Sequence, residues 1–299
     1  MITANNLIKT FDKFTALNSL CCNIEKGSIY GLVGSNGSGK STFLRLVSGV
    51  YKPDGGEILV DGKNTFENNA IKNKIFFVAD EPFFFSQYTV NGMAKFYKKM
   101  YEGFDMEYYK KLCGIFPIDP RKKISTFSKG MKRQAMFILA LASRPEILLL
   151  DEAFDGVDPV IRELLKKILA DSVCERQMTV IVASHNLREL EELCDHVGLL
   201  HKGGILFDKE LDSLKLGIHK IQVAFEDVKD VSIFDNIKTS KIEQKGRMFM
   251  LTAKGDITEI EKYIESLKPI FFETLPLTLE EVFISEMEGV GYDFSKIIL

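Results

Sequence analysis

Residues 34–42 read Gly34-Ser35-Asn36-Gly37-Ser38-Gly39-Lys40-Ser41-Thr42. An apolar run from Ile29 to Val33 precedes them and reads as a strand. Phe43, Leu44 and Val47 follow at helical spacing. A glycine-rich loop between a strand and a helix, closed by Lys-Ser, is the phosphate-loop pattern. The glycines let the backbone curl so that successive N–H groups point inward at phosphate oxygens, and the helix N-terminus adds its partial positive charge. Lys40 is placed to reach the β- and γ-phosphates, and the Ser41 hydroxyl to hold Mg²⁺. This stretch predicts a nucleoside-triphosphate site.

Outward from the loop, the first 33 residues alternate apolar and polar and read as short strands. The helix after the loop closes at Gly49 and a Lys52-Pro53-Asp54-Gly55-Gly56 turn, and residues 57–63 read as a further strand and turn. From Thr89 the period changes. Met93, Phe96, Tyr97, Met100 and Tyr101 share one helical face, and residues 105–116 and 128–143 also read as helices, the last ended by Arg144-Pro145. A helical block over about 86–145 thus sits inside an α/β frame. The frame resumes with a strand at 147–150, a helix carrying Ile161, Leu164, Leu165, Ile168 and Leu169, a strand at 179–183, and a helix ending near Cys194. Such alternation implies a parallel sheet. Past about residue 210 a β-β-α-β order predicts a small appended α+β domain, giving domains over 1–210 and 211–299.

Composition narrows the function classes. The formal charge is −3, and no basic run marks a nucleic-acid surface. Five cysteines, an odd number without CxxC spacing, fit a reducing compartment. The N-terminus lacks the layout of a signal peptide, and no apolar run approaches the roughly 20 residues that span a bilayer. The sequence therefore reads as a soluble protein whose membrane role, if it has one, needs a partner.

Two apolar strands end in a carboxylate pair: Ile75–Val78 runs on to Asp80-Glu81, and Ile147–Leu150 to Asp151-Glu152. With Asp80 as the metal-holding residue, the chain would resemble a compact kinase or GTPase. Three observations favour Asp151. Its strand is purely aliphatic, as suits a central parallel strand buried on both faces. Upstream lies FSKGMKRQ (127–134), a polar-glycine turn opening a helix and a further anion site. Downstream lie FDGVDP (154–159) and the strand TVIVAS, which ends at His185.

In this order and at these separations, the phosphate loop, signature turn, acidic strand end, D-loop and switch histidine resemble the nucleotide-binding subunits of ABC transporters. The resemblance covers roughly residues 1–210. It implies an ABC cassette: a parallel core sheet, an antiparallel β subdomain and a helical subdomain. It places residues 34–42 on the ATP phosphates and Phe11 on the adenine. Ser128 and Gly130 would contact the γ-phosphate bound by the opposite subunit. Asp151 would support Mg²⁺, Glu152 act as general base for the attacking water, Asp158 serve as the D-loop aspartate, and His185 contact the γ-phosphate. Phosphoryl transfer to water needs charge neutralisation and one group to orient the nucleophile. Lys40, Mg²⁺ and His185 can supply the first, Glu152 the second.

The sequence departs from the family in two places. The signature reads FSKGM where LSGGQ is usual, keeping Ser128 and Gly130. Matching FVADEP to the family's coupling loop puts Asp80 where a glutamine is expected, so that Asp80 would reach Mg²⁺ through a water; Glu81 is the alternative. Phe83, Phe84 and Phe85 either pack between frame and helical block or face a groove for a helix of the membrane partner.

The resemblance implies an ATPase that pairs with a second copy or a paralogue at the cytoplasmic face of a membrane and drives a separate permease. The FSKGM turn, the appended domain and TLPLTLEEVFI (274–284) are similar to exporters of drugs, antibiotic peptides or ions. In that last segment Leu279, Val282 and Phe283 read as a packing face. Two other functions stay open: a soluble ATPase of this type acting on ribosomes or DNA, and an ATP-binding regulatory subunit with weakened hydrolysis.

Overall fold

The computed structural model describes residues 1–211, 213 and 217–283. These fall into two compact units, one spanning Met1–Lys209 and the other beginning at Glu210.

In the first unit, β1 (Ile2–Phe11) and β2 (Phe14–Ile24) form an antiparallel hairpin closed by the pair Phe11 and Phe14. After β3 (Ile29–Val33) and the phosphate loop comes α1 (Lys40–Val47). Phe43, Leu44, Leu46 and Val47 of α1 are wholly buried with Ile2, Leu7, Leu17 and Leu20 of the hairpin. Gly49, at φ 67, supplies the left-handed residue that ends this helix. β4 (Gly55–Val60) and β5 (Lys63–Asn64) complete a four-stranded sheet in the order β2-β1-β4-β5. After α2 (Asn69–Lys72) and β6 (Ile75–Val78) comes the helical block: α3 (Val90–Met100), α4 (Met106–Ile115) and α5 (Lys129–Ala142). β7 (Ile147–Asp151), α6 (Pro159–Arg176), β8 (Thr179–Ser184), α7 (Leu187–Leu193), β9 (His196–His201) and β10 (Gly204–Glu210) follow.

The second sheet has the order β10-β9-β3-β8-β7-β6, with β9, β3, β8, β7 and β6 parallel. Ile147–Leu150 are wholly buried, as an aliphatic central strand requires. The register decides where chemistry can occur. Val33 lies beside Ser184, Ala183 beside Asp151, and Leu150 beside Val78. The carboxyl ends of four strands therefore meet along one edge, where ligands of open α/β sheets bind.

In the second unit, β11 (Ile218–Ala224), β12 (Thr239–Lys245), β13 (Met248–Lys254), α8 (Ile257–Ser266) and β14 (Phe271–Leu275) build an antiparallel sheet in the order β12-β13-β11-β14. Its core joins Val223, Phe225, Phe234, Phe249 and Leu251 with Ile260 and Ile264 of α8. The sequence reading lacks β12 because TSKIEQK has the charged, lysine-bearing pattern of an edge strand, with little apolar alternation to mark it. Leu279 and Val282 are buried, the packing role read from the sequence, while Ile284 lies outside the described residues.

Candidate functional site

The seven other α-helices described each open on a side chain that accepts from a first-turn N–H: Asn68, Thr89, Asp105, Ser128, Asp158, Asn186 and Asp256. α1 alone among the described α-helices opens without one. Its cap position is Gly39, at φ 114, and no side chain accepts from its first turn. Those donors face the loop, in the arrangement that binds a phosphate. Gly39 is required twice over: by its backbone angle, and because a Cβ there would sit 2.6 Å from the Ala16 carbonyl oxygen.

Lys40 is 6% exposed and its ammonium is enclosed by its own loop. Nζ donates to the Gly34 carbonyl at 2.6 Å and to the Ser35 carbonyl at 3.3 Å, and lies 3.6 Å from Glu152 Oε1. Burial lowers its pKa, opposed by the nearby carboxylates of Glu152 and Asp151. Next in sequence, Ser41 Oγ donates to Asp151 Oδ1 at 2.9 Å. Asp151 is 2% exposed, and burial raises its carboxyl pKa. The Ser41 hydrogen bond and the charge of Arg45 only partly offset this. A buried carboxylate beside a hydroxyl is a pair of hard oxygen ligands whose charged form gains from a cation.

Glu152 follows Asp151 in the left-handed region at φ 47, a conformation that costs a non-glycine residue energy and persists only where its surroundings enforce it. Its N–H donates to the Ala183 carbonyl at 2.9 Å, so the neighbouring strand holds it. The carboxylate is gripped from two sides. Oε1 faces Lys40, and Oε2 lies 2.9 Å from His185 Nδ1 and accepts the His185 backbone N–H at 3.4 Å. An ionised carboxylate only accepts, so the contact takes the Nδ1–H form of the imidazole.

Lys40, Ser41, Asp151 and Glu152 border a cleft of about 270 Å³ whose wall also includes Phe14, Ala16, Asn36, Gly37, Gly39, Thr42 and Asp80, while His185 stands behind Glu152. Ser35 and Ser38 instead face an adjoining recess that also contains Phe14, His201 and Lys202. Gly34 lies under the loop, where a Cβ would meet Ser38 Oγ at 2.4 Å. Ser128 caps α5 and Asp158 caps α6, both outside the cleft. Gly130 packs against the D-loop, and a Cβ there would come within 2.8 Å of the Gly156 carbonyl oxygen.

Two placements differ from the sequence reading. Phe11 does not line the cleft. Its ring meets Tyr51 edge-on at 5.3 Å with the Lys9 ammonium above it, and its cross-strand partner Phe14 is the aromatic at the cleft wall. The hairpin turn separates the two rings, and local sequence gives no signal for which one faces the loop. Asp80 does line the cleft, but the carboxylate read as reaching Mg²⁺ has an ion-pair partner: Oδ1 accepts from Arg133 Nη2 at 2.7 Å. The sequence alone assigns Arg133, within FSKGMKRQ, no role. One signal for it exists: Lys129, Lys132 and Arg133 crowd the start of α5, against the helix dipole, which calls for a counter-charge.

Residues 17–155 match the family described as ABC transporter. Over 289 residues the chain is 33% identical to the ABC transporter ATP-binding protein YtrB of Bacillus subtilis (strain 168), covering 97% of this chain and 99% of that protein. It is 31% identical over 218 residues to the bacitracin transport ATP-binding protein BcrA of Bacillus licheniformis, 72% of this chain and 71% of the relative. A dimeric structure of a bacterial ABC transporter cassette superposes with a TM-score of 0.65 at 23% identity, over 71% of this chain and 99% of that one. The structural likeness establishes the fold, and the near full-length match to YtrB establishes the lineage. With the phosphate loop, the acidic strand end and His185 meeting at one sheet edge, the chain belongs to the ABC transporter family, as an ATP-hydrolysing subunit.

Proposed function

We propose that two such subunits, identical or paralogous, sandwich two Mg-ATP molecules head-to-tail and drive a separate membrane-spanning permease from the cytoplasmic face. The observation that carries this reading is the convergence of two contact sets at one sheet edge: Ser41 on Asp151, and Glu152 held between Lys40 and His185. Among the described residues no three His, Cys, Asp or Glu side chains form a metal cage. Mg²⁺ needs none, since it takes one or two protein oxygens and completes its shell with phosphates and water. Ser41 and Asp151 would hold it, and when bound it neutralises charge on the phosphate oxygens.

The chain's own groups divide the remaining work. The open N–H groups of α1 and the Lys40 ammonium bind the phosphates. Glu152 orients the attacking water and takes its proton, and His185 fixes the Glu152 carboxylate through Nδ1. Ser128, Gly130 and Asp158 stand outside the cleft because their ligand belongs to the opposite subunit. Phe14 takes the adenine-facing role in place of Phe11.

Among the described residues no helix is long and apolar enough to cross a membrane, so the permease is a separate chain or segment. Its docking place is the aromatic patch after Asp80. Phe83 is 72% exposed and stacks edge-on with Phe85 at 5.4 Å, and Phe85 continues to Tyr88 and Phe96. Exposed aromatic clusters of this kind mark interaction sites. Relatives named for bacitracin transport and linearmycin resistance favour export of a drug or antibiotic peptide.

Glu152→Gln is expected to lower ATP turnover by roughly two to four orders of magnitude while ATP still drives dimer formation. Wild-type protein with no turnover, together with a variant that forms no ATP-dependent dimer, would refute the reading. Phe14→Ala should weaken nucleotide binding by about 1 kcal/mol, and Phe11→Ala by clearly less, in a calorimetric titration. Phe83→Asp combined with Phe85→Asp should abolish co-purification with the permease and leave the isolated subunit's ATPase rate unchanged. Retained co-purification would place the docking site elsewhere.

A further inference from the structure

We propose that Arg133 is a positioning residue for hydrolysis: its guanidinium bridges Asp80 to the backbone of Glu152 and so holds the general base in place. This rests on Glu152 being the base. Arg133 is 1% exposed, on the first turns of α5 in the helical block. One arm, Nη2, donates to Asp80 Oδ1 at 2.7 Å, and the other, Nη1, donates to the carbonyl oxygen of Glu152. Nε is buried without a hydrogen-bond partner, so the two Nη contacts carry the group.

The carbonyl that Arg133 grips belongs to a residue in a costly backbone conformation. Glu152 sits at φ 47, and this peptide is kept there by few contacts. Its N–H is tied to Ala183, and its carbonyl accepts from Arg133 and, at 3.3 Å, from the Asp155 N–H. A buried guanidinium without a counter-charge would be costly, so Asp80 compensates the charge of Arg133 and aims its fork. Glutamine at position 80 would carry no charge to do this. The aspartate there and the arginine at 133 therefore form one device, joining the cleft wall, the helical block and the catalytic strand end. Only a planar fork reaches two acceptors in fixed directions, which a lysine ammonium cannot reproduce.

The test is steady-state ATPase kinetics of the full chain in two backgrounds. Arg133→Lys keeps the charge and loses the fork. It should lower kcat roughly tenfold to a hundredfold, the scale of a misplaced catalytic group, with KM for ATP changed less than about twofold. In the Glu152→Gln background the same substitution should cost almost nothing further, since residues acting as a unit are not additive. Asp80→Asn leaves the buried guanidinium in place and serves where Arg133→Lys folds poorly. It should lower kcat in the same direction, and its loss should likewise vanish in the Glu152→Gln background. An equal proportional loss in both backgrounds, an effect confined to KM, or turnover that rises in Asp80→Asn would each overturn the latch. A Glu152→Gln variant with undiminished turnover would instead count against the assignment of the base.

Discussion

A single hydrogen bond, from Ser41 Oγ to Asp151 Oδ1, joins two residues 110 positions apart and sets the geometry of the whole site. It forms because β3 and β7 flank β8 in a parallel sheet whose register brings Val33 and Asp151 to the same edge. A slip of one residue on either side would point alternate side chains the other way and part the hydroxyl from the carboxylate. Ile147–Leu150 are wholly buried and carry Asp151 to that edge, so one strand serves both the core and the chemistry.

Around this bond the site is built from groups that would be unfavourable in isolation. Lys40 and Asp151 are both buried, with burial working against the charge of each, and Glu152 holds a left-handed backbone. Each is tolerated because its neighbours supply what it lacks: loop carbonyls for the ammonium, the Ser41 hydroxyl for Asp151, and strand and guanidinium contacts for the Glu152 peptide. Such opposed requirements collect where a ligand is to complete the charge balance. The uncapped start of α1 belongs to the same pattern, since every other described α-helix opens on a side chain that accepts from a first-turn N–H.

Much of this was legible in the sequence. The phosphate loop carries its own conformational signature in Gly37 and Gly39, and the strand ends at Asp151 and Ser184 stand out because apolar runs stop there abruptly. The helical block showed itself by a change of period at Thr89, and its helices lie within a few residues of the ranges read. What escaped reading was set by tertiary neighbours. β9 and β10 are recognisable mainly through pairing beside β3, and β12 is a charged edge strand. Whether Phe11 or Phe14 faces the loop depends on how the hairpin closes over α1. Nothing local marks Arg133 for burial; only the fold sets it against Asp80. Asp80 is legible as a departure from the family pattern only by resemblance, and its partner Arg133 lies 53 residues away, beyond the reach of any local pattern.

The claim most open to a direct test is that Ser41 and Asp151 form the metal-holding corner of an ATP site. Magnetic resonance on Mn²⁺ bound with ATP to the full chain reads this without relying on turnover. The account predicts phosphorus couplings to the metal in the wild type, and a loss of Mn²⁺ affinity of roughly tenfold or more in Asp151→Asn. Unchanged affinity and unchanged phosphorus couplings in that variant would contradict it.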